Sequence, residues 1–302
     1  MPKSLQRVLL AVFVIVDLAL IVGAVRHVNG TPPSSDLPEA SATVAPSAPT
    51  GSPTATATAP AQLDYNFQAS KAVALSSAND GTIVFGTRGR CAAGDDAEVS
   101  VSTNAGADFS PSTTGLTTTL AVKTTGAGAI SVVGTDADCD PQQVSSTDGG
   151  KTWTDDDEIT LWYPDPERTR EVVSPAGKTA VGAKCIVTSV SQVTAESARV
   201  SCANGTFRGT GNSGEKWVSL GRLDNVRVGT FLTPSKGYAL ARYNGCGANQ
   251  FSTTDGGVTW QPGGCISGDP AQAIAATVNG LTAVVSGDPY VSTDDGKTWK
   301  QP

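Results

Sequence analysis

His27 is the only histidine in the chain, so acid–base or binding chemistry rests on carboxylates, arginines and aromatic residues. It lies just after an apolar N-terminal run and ahead of every cysteine, away from any folded site. Histidine-activated serine or cysteine nucleophiles, a histidine base and histidine-ligated zinc are therefore excluded from the rest of the chain. Asp136, Asp138 and Asp140, in DADCD, have the alternate spacing that opens an EF-hand loop. Pro141 stands where that loop needs glycine and Thr147 where it needs glutamate, so a solvated acidic turn is expected, with no metal. DDDE (155–158) likewise reads as solvated charge. LWYPDPERTRE (161–171) is the strongest binding candidate. Its Trp162, Tyr163, Asp165, Glu167, Arg168 and Arg170 form a composition enriched at recognition surfaces. The alternative is a compact loop that packs its aromatics inward. No catalytic residue is assigned, and no cofactor is expected.

The elements that must position these residues are strands. Among 302 residues there are 33 Gly and 18 Pro, and the apolar residues are mostly small or β-branched. A net charge of −7 leaves no basic face for phosphates, which argues against nucleic acid as a partner.

Residues 8–25, VLLAVFVIVDLALIVGAV, are apolar apart from Asp17 and long enough to span a bilayer. Lys3 and Arg7 precede the run, which favours a signal anchor with residues 1–7 in the cytoplasm and the rest outside. Cleavage after Ala24 would instead release a secreted protein. The linker 26–61 is dominated by Pro, Ser, Thr and Ala and cannot bury enough apolar surface to fold, so it is read as a stalk. The folded unit is expected at 62–302. Its six cysteines suit an oxidising compartment.

One frame recurs within this unit. STDGGKTW begins at Ser146, TTDGGVTW at Thr253 and STDDGKTW at Ser292, with decayed copies STNAGADF at Ser102 and TGNSGEKW at Thr210. A period of about 40 residues indicates a repeated β-unit. Asp148, Asp255 and Asp294 can accept backbone N–H bonds in a turn, with Ser146, Thr253 and Ser292 adding hydroxyls. Gly150, Gly257 and Gly296 can take positive φ. Thr152, Thr259 and Thr298 then lead into Trp153, Trp260 and Trp299, apolar anchors of the next strand.

The frame resembles the Asp-box, or BNR, repeat of sialidase-like, sortilin-like and photosystem-assembly-factor-like β-propellers. The resemblance implies an all-β propeller of four-stranded blades, with each box joining strands three and four. Five blades are expected and six is the alternative. The wide interval from Ser146 to Thr210 reads as one blade plus an insertion of roughly 20–25 residues. LDYNFQ (63–68) is expected to add a closing strand to the last blade. Sialidase-like enzymes also carry an arginine triad, an Arg-Ile-Pro stretch and a Tyr–Glu nucleophile pair. This chain has no Arg-Ile-Pro stretch, and its arginines do not fall into a recognisable triad.

In such a blade the box turns lie on one face, while the turns between strands two and three lie on the other with the blade-to-blade connections. Arg88, Arg90, Arg242 and Tyr243 are expected on that second face with the 161–171 insertion, as a binding surface. Cys185 and Cys202 flank one turn, and Cys246 and Cys265 flank strands three and four of one blade, which pairs each couple and leaves Cys91 with Cys139. The expected function is non-catalytic binding or scaffolding of a cell-surface protein or glycan, by a monomer. The alternative is a carbohydrate-active hydrolase working through paired carboxylates on the face opposite the boxes.

Overall fold

The structure, a computed structural model, describes residues 72–89, 91 and 97–302. The apolar run, the linker, Arg90 and the expected closing strand at 63–68 lie outside these residues.

The described residues form six antiparallel sheets. The first sheet holds β1 (Val73–Ser77), β2 (Ile83–Thr87), β3 (Glu98–Ser102) and β4 (Ser110–Thr113). The second holds β5 (Thr118–Gly126), β6 (Ala129–Thr135), β7 (Pro141–Ser146) and β8 (Thr154–Asp155). The third has only β9 (Tyr163–Pro164), β10 (Glu171–Ser174) and β11 (Gly177–Ala180). Then come β12 (Val187–Gln192), β13 (Ala198–Cys202), β14 (Thr206–Thr210) and β15 (Val218–Arg222). The fifth sheet is β16 (Val226–Phe231), β17 (Gly237–Tyr243), β18 (Cys246–Thr253) and β19 (Gln261–Ile266). The last is β20 (Ala271–Ala276), β21 (Leu281–Val285) and β22 (Asp288–Ser292), with Lys300 bridging to Val291 where a fourth strand would run.

These sheets are the blades of a propeller, and their number is six, the stated alternative to five. Apolar layers lie between all neighbouring blades. Val84, Val99 and Val132 meet between blades one and two, and Leu120 and Tyr163 between two and three. Val172 meets Val200 between three and four, Phe207 meets Phe231 between four and five, and Leu240 meets Ile274 between five and six. Val73 against Ala273 and Val284 closes the ring. At the same seam Val278 N–H donates to Asn79 Oδ1 at 3.3 Å, and Pro302 abuts Gly106 of the first box. Because blades stack on both sides, middle strands are buried on both faces and read as unbroken apolar runs, as LTAVV does in β21. Outer strands such as β4, SPST, stay polar.

The missed blade sits in the wide interval. In blade one, Ser112 Oγ on the outer strand β4 donates to Gly150 O of the next box and accepts from Trp153 Nε1 at 2.9 Å. Thr179 Oγ1 on β11 makes the same pair of bonds, donating to Gly214 O at 2.6 Å and accepting from Trp217 Nε1 at 3.3 Å. β11 is therefore an outer strand, β10 stands third and β9 second. The innermost strand of this blade is missing, and the segment leading into β9 takes its place. A four-residue turn, Ser174-Pro175-Ala176-Gly177, replaces the box, with Ser174 Oγ donating to Gly177 O at 3.0 Å and accepting from Ala176 N–H at 3.2 Å.

All three disulfides form as expected: Cys91–Cys139, Cys185–Cys202 and Cys246–Cys265. The first joins blade one to blade two, and the third lies within blade five. Cys185 precedes β12 and Cys202 ends β13, so the second lies at the edge of blade four.

Candidate functional site

The inner strands β1, β5, β12, β16 and β20 surround the propeller axis and leave a cavity of about 250 Å³. Leu161 and Trp162 line it where the third blade lacks its inner strand. Side-chain hydroxyls on its wall tie neighbouring inner strands together. Ser189 Oγ accepts from Gly229 N–H at 2.9 Å, Ser191 Oγ from Phe231 N–H at 2.8 Å, and Ser76 Oγ from Thr124 N–H at 3.1 Å. These hydroxyls satisfy backbone groups that no ladder reaches, so they hold the wall rather than a ligand. Arg88 and Lys123 are the cavity's charged residues, and no Asp or Glu lines it among the described residues.

The structure leaves only part of the expected binding surface exposed. Strand direction puts Arg88, at the end of β2, and Arg242 and Tyr243, at the end of β17, opposite the boxes as expected. The turn 165–170 from β9 to β10 lies on the same face. Several charges there are engaged locally. Lys178 Nζ sits 3.1 Å from Asp165 Oδ2, Arg168 pairs with Glu171 at 3.3 Å, and Arg242 pairs with Asp269. Asp165 Oδ1 also accepts from Glu167 N–H at 2.9 Å and Arg168 N–H at 3.0 Å. Burial pushes the Asp165 carboxyl upward, but these N–H groups and Lys178 outweigh it, and its pKa is lowered. Glu167, Arg168, Arg170 and Tyr243 are exposed, and the Tyr243 ring meets Phe251 edge-on.

Trp162 and Tyr163 belong to the core, with exposures of 3% and 2%. Trp162 Nε1 donates to Ala195 O at 2.9 Å, and its ring meets that of Trp217 edge-on at 6.2 Å. Burial, with the Asp165 charge adding to it, pushes the Tyr163 hydroxyl up to about 12. The inward-packed alternative is therefore the arrangement found for the aromatic pair. In the sequence, Arg88 is one charge among several on a face. Its place in the cavity depends on the ring, and nothing in its neighbouring residues signals it.

The boxes are hairpin clasps. Asp148 Oδ1 accepts from Lys151 N–H at 2.9 Å, Thr152 N–H at 3.0 Å and Ser146 Oγ at 2.8 Å, while Oδ2 accepts from Thr152 Oγ1 at 2.7 Å. Asp255 and Asp294 repeat the network with Thr253 and Thr259, and with Ser292 and Thr298. Gly150, Gly257 and Gly296 have φ of 85°, 96° and 83°. A side chain there would be strained, and at Gly150 a Cβ would also crowd Ser112 of the preceding blade. Trp260 and Trp299 donate to Gly257 O and Gly296 O at 3.1 and 3.0 Å, pinning each ring over its own turn.

These bonds stabilise the carboxylate form. Donation from Thr298, first from its hydroxyl and then from its N–H, lowers Asp294 to about 2, and the same network depresses Asp148 and Asp255 further. An unfolded aspartate titrates near about 3.9. The folded values lie below it, so the clasps add stability above roughly pH 4 that is lost as pH falls through roughly 2. The melting temperature should be level from about pH 7 to 5 and drop steeply between about 4 and 2. The combined variant D148N, D255N and D294N should flatten that drop, and an unchanged slope would show that the clasps do not carry it.

The BNR/Asp-box repeat family model matches residues 290–301, which contain the box of the sixth blade. The chain is a β-propeller that carries an Asp-box repeat. Among solved structures, YCF48 from Cyanidioschyzon merolae is 14% identical, with 74% of this chain and 79% of that one covered and a TM-score of 0.40. The fucose-specific lectin from Aleuria aurantia is 12% identical, with coverages of 77% and 95% and a TM-score of 0.49. The GH74 xyloglucanase from Xanthomonas campestris is 16% identical over 79% of this chain but 39% of its own, with a TM-score of 0.30. No curated protein sequence matches the chain. The six-bladed architecture of this Asp-box propeller rests on its own sheet order and inter-blade layers.

Proposed function

We propose that the propeller is a non-catalytic binding module, held outside the cell membrane by the span at 8–25 and the linker 26–61. The observation that carries this reading is the axial cavity. It offers two cationic side chains among hydroxyl and amide groups, with no carboxylate among its described lining residues. Glycoside hydrolysis needs two carboxyl groups about 5–10 Å apart, one of them an acid. The cavity supplies neither member of that pair, whereas a binding site needs only shape and a few polar anchors.

The full chain in detergent, immobilised on a surface, should retain glycans or peptides from an array saturably and return them unaltered. Release of reducing sugar from a glycoside panel would overturn this reading in favour of a hydrolase.

A further inference from the structure

Arg88 follows the last residue of β2, at the end of the axis away from the boxes. Its backbone N–H donates to Ala72 O at 2.7 Å, and it bridges to Thr119 on β5. These contacts fix the main chain, and the residue lines the cavity. Its Nε is buried without a hydrogen-bond partner, and no carboxylate pairs with it among the described residues. Arg168, Arg222 and Arg242 each have such a carboxylate. Burial pushes the Arg88 guanidinium down to about 10, which leaves it charged at neutral pH. A charge held in a protein wall without a counter-charge is costly, and a ligand of opposite sign removes the cost. Two further polar atoms of this blade pair, Thr119 Oγ1 and Ser77 Oγ, are likewise buried without a partner.

We propose that Arg88 anchors a small organic carboxylate in the axial cavity. This rests on the binding-module reading and names the ligand class. The planar guanidinium fork matches a carboxylate with two parallel N–H bonds. The next cation, Lys123, lies four residues beyond Thr119 along β5, roughly 13 Å at the rise of a strand. One guanidinium fork pairs with one carboxylate group, so a ligand with a single negative charge fits best. A cavity of about 250 Å³ admits a small acid and excludes a folded domain.

The test is calorimetric titration of the full chain in detergent with glucuronate, lactate, inorganic phosphate and glucose. At least one of the two carboxylates should bind, and R88M should weaken it about tenfold or more, the loss expected for a charge-assisted hydrogen bond. R88K, which keeps the charge without the fork, should fall between. It also serves as the test variant if R88M melts early. K123M should change affinity less than threefold. Binding of neither carboxylate, equal binding by R88M and wild type, or preference for phosphate would each overturn the proposal. Glucose bound equally by wild type and R88M in place of the acids would overturn the carboxylate site while leaving the binding-module reading standing.

Discussion

Trp162→Ala should lower the propeller's stability by about 3–5 kcal/mol, the range for truncating a buried aromatic to alanine. The side chain is 3% exposed and packs with Val172, Val187, Val200 and the Cys185–Cys202 disulfide between blades three and four. Truncation removes the edge-on contact with Trp217 and leaves Ala195 O without its indole donor. The site has little means of collapse. Blade three has no inner strand to move into the gap, so the cavity left behind would open into the axial one. Trp162→Phe should cost less, because it keeps most of the ring and loses the hydrogen bond. Equilibrium denaturation measures both, and a residue serving as an exposed ligand anchor would instead lose binding with stability unchanged. Trp162→Ala unfolding at the wild-type midpoint would sink the packing role.

That comparison shows why the sequence was legible in some places and opaque in others. Asp148, Asp255 and Asp294 could be placed from the sequence because the carboxylate's donors and acceptor all lie within seven residues. The cysteine pairs followed once the boxes had fixed strand order. Blade three has no such local code. Its turn keeps only Ser174 and Gly177 of the pattern, and its β9 has two residues, too short for alternation to register. Its outer-strand role shows only in Thr179, which reaches a box in the next blade. Trp162 and Tyr163 posed the same difficulty, since an aromatic pair among charges has one composition whether it faces water or a neighbouring blade. Arg88 was named for its charge, but its cavity exists only once five inner strands and a truncated blade have come together. Local hydrogen-bond chemistry was readable, and properties created by ring closure were not.

The second large effect follows from loop lengths. Cys91–Cys139 spans 48 residues, against 17 for Cys185–Cys202 and 19 for Cys246–Cys265. In the chain-entropy account, opening the longest loop costs about 4 kcal/mol and either shorter one about 3. Position points the same way. Cys202 already pairs with Val187 across β12 and β13, and Cys265 with Asn249 across β18 and β19, so those bridges reinforce existing ladders. Cys91 and Cys139 lie in different blades, and their bridge holds blade one against blade two directly. Replacing each pair by alanines, one pair at a time, should therefore lower the denaturation midpoint most for C91A with C139A. If the variant lacking Cys185–Cys202 proved the least stable, packing would outweigh chain entropy. Both of its sulfurs lie in the core that holds Trp162, so that variant and Trp162→Ala should then show coupled rather than additive losses.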